Sequence, residues 1–150
     1  MIKNVLIKAS GDVSHNSIFL EFAKAKAKTN YVIVIAGGGT KISATLKAAG
    51  YEVKFDEHGR VTDTWEERKI ARDILEQEEK ELQDIFVGTG VIVKAPLLEA
   101  GAVLCPINGD NLVKALYLGF DEIYVFTLGE RAKEKEKIFA DYPKVQIKGI

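Results

Sequence analysis

Hydrophobic and polar positions follow one another along this chain with two periods, and each period marks a kind of element. Uninterrupted or alternating apolar runs predict strands at Asn4–Ala9 (NVLIKA), Tyr31–Ile35 (YVIVI), Tyr51–Phe55, Val91–Ala95, Ala102–Ile107 and Glu122–Thr127 (EIYVFT), with a last short one at Val145–Ile147. Arg60 to Thr62 returns after the turn Asp56–Gly59 and predicts a small hairpin. Between the runs, apolar residues recur at helical spacing. Ile18, Phe19, Phe22, Ala23 and Ala27 form the stripe of a helix from Ser17 to about Lys28, capped by Ser14 or Asn16. A second helix spans Lys41–Ala49 and stops at Gly50. Asp63 or Thr64 caps a long helix to about Phe86, with Ile70, Ala71, Ile74, Leu75, Leu82, Ile85 and Phe86 on one face. Glu76, Glu78, Glu79 and Glu81 read as its solvated acidic face. Pro96–Ala100 reads as a helical turn; 111–118 and the charged RAKEKEKIF (131–139) read as further helices, the lysines of the latter spread over a solvated face. Strands alternating with helices from end to end predict an α/β class: a three-layer α/β/α sandwich with a mainly parallel sheet, one domain over 1–150.

The longest apolar strand run leads into three glycines, Gly37, Gly38 and Gly39, and then a helix. Burial on both faces suits a parallel strand. Glycines let the backbone pass close to a ligand, and a helix start presents free N–H groups and partial positive charge to an anion. In a parallel sheet, ligands bind beyond the carboxyl ends of the strands. Three such loops are expected on one edge: Ser10-Gly11-Asp12, Gly37-Gly38-Gly39 and Asn108-Gly109-Asp110. Lys8 ends the first strand, where it either snorkels to solvent or aims a cation over the loops. Asp110 is its natural partner, unless it serves only as a helix cap. The glycine trio is neither a dinucleotide fingerprint nor a P-loop, and any strand–turn–helix junction can use one.

Composition narrows the classes. With 150 residues, 47% hydrophobic and 29% charged, the chain is long enough for a substantial core. A net charge of −1 gives no global field for nucleic acid or an anionic membrane. No apolar run approaches the ~20 residues of a membrane span, and the start reads as a strand rather than a leader, so the cytoplasm is the expected location. The single Cys105, in AVLCPI, allows no intrachain disulfide and reads as a buried, inert thiol. His15 and His58 have no metal-ligand neighbours at suitable spacing, and no metal site is expected.

Three blocks carry a family resemblance: Lys8-Ala9-Ser10-Gly11, VIAGGGTKIS at 34–43, and PINGDNLVKALYLGFDEIYVFT at 106–127. In order and spacing they resemble the amino acid kinase family, which includes the acetylglutamate, glutamate, aspartate, carbamate, uridylate and isopentenyl phosphate kinases. Gly59 to Asp63 resembles the stretch before a long helix in acetylglutamate kinases. The resemblance implies ATP-dependent phosphoryl transfer to a carboxylate or phosphate acceptor, with ATP and Mg as cofactors. It implies catalytic roles for Lys8, on the transferring phosphoryl group, and for Asp110, which would orient Lys8. Ser10, Gly11 and Gly37–Gly39 would approach the phosphates and acceptor, Arg60 would grip an acidic group, and Asn108 would hydrogen-bond it. The family continues into a nucleotide-binding lobe, so the chain is expected to be the acceptor lobe, ending before that second lobe. Two alternatives stand beside the kinase: a non-catalytic module holding a phosphorylated or acidic metabolite on its glycine loops, or a fragment completed by another chain. A homodimer through the 64–86 helix is the expected partner arrangement, with Trp65 as interface anchor or core residue.

Overall fold

The structure is a computed structural model describing residues 1–150. In chain order the elements are β1 (Asn4–Ala9), α1 (Ser17–Ala27), β2 (Tyr31–Ala36), α2 (Gly39–Ala48), β3 (Lys54–Asp56), β4 (Gly59–Val61), α3 (Trp65–Ile85), β5 (Val91–Lys94), β6 (Leu97–Ala100), β7 (Val103–Pro106), α4 (Gly109–Leu116), β8 (Glu122–Thr127), α5 (Ala132–Ile138) and β9 (Val145–Gly149). Five strands form one sheet in the order β5-β2-β1-β8-β9, and every pairing in it is parallel. The central strand β1 has β2 on one side and β8 on the other. The chain runs outward in opposite directions from β1, so a crevice is expected at its carboxyl end.

Side chains of a strand alternate between faces, and the core divides accordingly. Val5, Ile7 and Ala9 join Val32, Val34, Tyr124 and Phe126 under α1 and the end of α3. Phe19 of α1 is fully buried there, edge-on to Phe86 at 6.2 Å and Phe126 at 5.5 Å. Truncating such a ring typically costs about 3–5 kcal/mol. Leu6, Ile35, Ile123 and Val125 face the other way, against Leu112 and Val113 of α4 and Phe139 after α5. Lys8 shares the parity of Leu6, which turns it toward α4 and α5. A third cluster seats α2 (Ile42, Leu46) on α3 (Ala71, Leu75) beside Ala95.

Several expectations need correction. Asn16, not Ser14, caps α1, accepting a bond from the Ile18 amide at 2.8 Å. Ile18, placed in the apolar stripe, points to solvent instead. The strand expected at Tyr51–Phe55 is only β3, and α2 starts two residues early, at Gly39. Thr64 does cap α3, in a capping box with Glu67. The acidic face of α3 is not wholly solvated: Glu78 is buried and ion-paired with Lys41, and Glu79 accepts the Ala95 amide. Pro96–Ala100 is no helical turn. It holds β6, which pairs antiparallel with β7 in a hairpin outside the main sheet. Cys105, on that hairpin, is only partly buried.

Candidate functional site

The carboxyl ends of β1 and β2 release two loops that touch. The Gly37 amide donates to the Ala9 carbonyl at 3.2 Å, and the Ser10 amide donates to the Phe126 carbonyl at 3.0 Å. A Cβ on Gly37 would lie 3.2 Å from the Gly11 nitrogen, tighter than ordinary packing allows. The trio was expected to use backbone conformations closed to other residues. None of Gly37, Gly38 or Gly39 has positive φ, so close approach is what requires glycine at Gly37. The third loop reaches the same edge by another route than expected. The β6–β7 hairpin, closed by the Ile107 amide on the Pro96 carbonyl at 2.8 Å, delivers Asn108 from outside the sheet. Asn108 caps α4 by accepting from the Asp110 and Asn111 amides at 3.0 and 3.2 Å.

These loops bound a cleft of about 370 Å³. Lys8, Ser10, Gly11, Gly37, Gly38, Gly39, Arg60, Asn108 and Asp110 all line it, so the geometry brings together every residue singled out from the sequence. At its floor, Lys8 is 6% exposed. Its Nζ donates to Asp110 Oδ1 at 3.1 Å and to Ser10 Oγ at 3.3 Å. Lys135 Nζ donates to the other carboxylate oxygen, Oδ2, at 2.6 Å. Two buried ammonium groups thus share one carboxylate. Burial works to raise the Asp110 carboxyl, but the Lys8 charge and the Lys135 hydrogen bond outweigh it and hold it below its ordinary value. Burial pushes the Lys8 ammonium down; Asp110 offsets this only in part, and the nearby Lys135 charge pushes it down further. The two shifts fit one picture: the anion has two partners, and each cation has half of one.

Arg60 forms the opposite wall. Its Nη2 donates to the Gly39 carbonyl at 2.9 Å and to Ser43 Oγ at 3.1 Å, and its guanidinium stacks 4.7 Å from the Phe55 ring centre. Its Nη1 is buried with no hydrogen-bond partner. The β3–β4 hairpin that carries Arg60 is tied to α4, since Asn111 Nδ2 donates to the His58 carbonyl at 2.8 Å. Gly59, at φ +121°, fits against Asn108, where a Cβ would approach to 2.9 Å.

Sequence reasoning set aside Lys135 and Arg131, which also line the cleft. Lys135 was read as part of a solvated helix face. The signal for it was present: it lies four residues before Phe139, on the helix stripe that packs on the sheet. The cleft carries four basic side chains (Lys8, Arg60, Arg131, Lys135) and two acidic ones (Asp12, Asp110). The lining therefore carries a surplus of positive charge at the switch point of a parallel α/β sheet.

Comparison with solved structures places this fold among known ones. No protein-family model matches the chain, and no curated protein matches it significantly. Two crystal structures of N-acetylglutamate synthase from Neisseria gonorrhoeae are similar, one complexed with coenzyme A and N-acetyl-glutamate, the other with coenzyme A and L-arginine. Their TM-scores are 0.72 and 0.73 at 10% identity, over 98% of this chain in each case. The chain spans about half the length of those synthase chains, 54% and 56%. The protein smu.665 from Streptococcus mutans UA159 is similar at TM-score 0.70 and 15% identity, covering 96% of this chain and 94% of its own. At such identities the likeness is one of fold.

These findings overturn the family resemblance drawn from the sequence. Two of the similar structures are synthases complexed with coenzyme A and an amino acid or its acetyl derivative, and no protein-family model matches. Assignment to the amino acid kinase family does not hold. Neither do ATP-dependent phosphoryl transfer and the kinase-like description of the fold. The ATP and Mg cofactors fall with it, since the ligands named for the similar structures are coenzyme A and amino acids. No group of three or more His, Cys, Asp or Glu side chains is placed to hold a metal ion. The physical reason is that the matching blocks are strand–turn–helix junctions. Glycine is demanded where two loops touch, as at Gly37 against Gly11, and a buried lysine at a strand end demands a counter-charge, here Asp110. Neither demand specifies a family.

Proposed function

We propose that the cleft binds a small molecule through a carboxylate group, of the amino-acid or acyl-amino-acid class. The observation that carries this is the pairing at its floor: Asp110 neutralises only one of the two lysines it touches, which leaves a surplus positive charge under the glycine loops. Arg60 supports it from the opposite wall with an unpartnered guanidinium nitrogen. In this reading Lys8 and Arg60 engage the anion, Asp110 positions Lys8, and Ser10, Gly11, Gly37–Gly39 and Asn108 shape the pocket. N-acetyl-glutamate and L-arginine, the molecules held by the similar synthase structures, both carry carboxylates. A second reading, participation in acyl transfer, draws on the coenzyme A in both.

The test is calorimetric titration and thermal shift with N-acetyl-glutamate, L-glutamate, L-arginine and coenzyme A. A rise in melting temperature with the carboxylates is expected, smaller at high salt and lost in Arg60→Ala, because bound ligand stabilises the folded state by mass action. No response to any carboxylate, far above ordinary affinities, sinks the reading. A response to coenzyme A alone favours the second.

The homodimer through α3 belongs to the same proposal. Trp65 and Ile85, near the two ends of α3, are 48% and 38% exposed and offer apolar contacts to a second copy. Sedimentation equilibrium should give a dimer that Trp65→Ser weakens; a monomer at all concentrations rejects it.

A further inference from the structure

Two amines on one carboxylate give Lys8 a chemistry beyond charge neutralisation. Lys135 makes the shorter contact with Asp110, 2.6 Å against 3.1 Å for Lys8. Lys135 therefore has the stronger hold on the counter-charge, and Lys8 is the amine more readily left uncharged. Lys8 is also the side chain at the floor of an open cleft, between the Gly11 and Gly109 turns. The charged groups facing it are Asp110 on α4, Lys135 on α5 and Arg131 just before α5, with Asp12 and Arg60 on the cleft walls. Two of the three nearest are cations. A lysine desolvated beside a second cation is the arrangement in which an amine becomes a nucleophile near neutral pH. Burial and the Lys135 charge both act in that direction on Lys8.

We propose that Lys8 is a nucleophilic amine that condenses with the carbonyl carbon of an aldehyde or 2-oxo acid bound in the cleft. Its ammonium first gives a proton to solvent water at the cleft mouth. Asp110 does not take it, because Lys135 and Lys8 hold that carboxyl below its ordinary range. The Nζ lone pair then bonds to the carbonyl carbon, the C=O π pair moves to oxygen, which takes a proton from water, and the hydroxide so formed removes one of the two protons on the now cationic Nζ. The resulting carbinolamine loses its hydroxyl and the remaining N–H proton as water and becomes an imine. No oxidant or reductant enters. The step does not rest on the carboxylate-binding reading, which predicts only that an acid is preferred over a neutral aldehyde.

The test is reductive trapping. The protein is incubated near neutral pH with glyoxylate, or with neutral propanal, and sodium cyanoborohydride, and modified lysines are mapped by peptide mass spectrometry. Lys8 is expected to be the first lysine labelled, ahead of exposed lysines such as Lys47 and Lys133. That preference must vanish when the same protein is labelled in urea. In Lys135→Met, Asp110 serves Lys8 alone, so Lys8 labelling slows and its pH midpoint moves upward. Labelling spread over surface lysines with Lys8 unmodified overturns the proposal, as does Lys135 reacting in its place or a pH midpoint that Lys135→Met leaves unmoved. Equal labelling of Lys8 by glyoxylate and propanal keeps the nucleophile and rejects carboxylate recognition.

Discussion

Asp110 is the residue on which the cleft floor depends, and its neighbours depend on it unequally. Removing one partner of a buried ion pair leaves an uncompensated charge and typically costs about 3–5 kcal/mol. Asp110→Asn leaves two buried ammonium groups and should fall in that range by urea unfolding. Lys8→Met removes a cation whose burial is only half compensated, while Asp110 keeps Lys135. It should change stability by no more than about 1 kcal/mol, in either direction. Equal losses in the two variants would show that Lys8 is held as firmly as Asp110. Much of this floor was legible in the sequence. A lysine ending an apolar strand needs a partner, and an aspartate after a glycine turn supplies one. Lys135 was harder to see because its immediate neighbours alternate in charge, which masks a helix face set by residues three and four away. What the cleft takes was not legible at all: the same glycines and lysine occur at sites for chemically different ligands.

Elements were read best where they were long and periodic. Asp63 or Thr64, ahead of Glu66 and Glu67, announced the start of α3, and β1, β2 and β8 came from uninterrupted apolar runs. The β6–β7 hairpin was misread because Pro96 and Gly101 bracket only four strand residues, too few for period to separate strand from helical turn. Its partner β7 looked like a sheet strand because apolar content alone does not say which sheet a strand joins. At the amino end of β8, Glu122 binds elements together. It accepts from Lys26 of α1 at 2.7 Å, from Lys3 just before β1 at 2.7 Å, and from the Tyr124 hydroxyl at 2.7 Å. These bonds, that from Lys26 foremost, hold its carboxyl down from 4.5 to about 2. A carboxyl depressed in the folded state stabilises fully above its unfolded value, and the contribution is lost as pH falls through the folded one. The stability difference between wild type and Glu122→Gln should therefore be about 1–2 kcal/mol near neutrality, allowing for solvent screening. It should shrink as pH falls from 4.5 toward 2. Urea midpoints measured across that window check this; a constant difference would mean that Glu122 acts by packing alone.

The molecule as a whole keeps these two charged clusters at opposite ends of one sheet. Glu122 and its lysines hold the amino edge, and the cleft opens on the carboxyl edge, with the apolar strands between them. No helix is long and apolar enough to cross a membrane. Strand order and cleft position follow from one fact that a linear reading cannot contain: the first strand ends at the centre, between the second and the eighth.

That placement has a consequence for synthesis on the ribosome. Lys8 leaves the ribosome 102 residues ahead of its carboxylate partner, and Lys135 follows 25 residues after that. Until β8 arrives, β1 pairs only with β2, and Leu6 and Ile35 lack the helices that later cover them. The nascent half-sheet must carry an open strand edge and an uncovered apolar face until α4 and β8 follow, the condition under which chains aggregate or engage chaperones. A lysine waiting at the end of that first strand puts a charge beside the uncovered face. A charge so placed opposes the premature pairing of that edge.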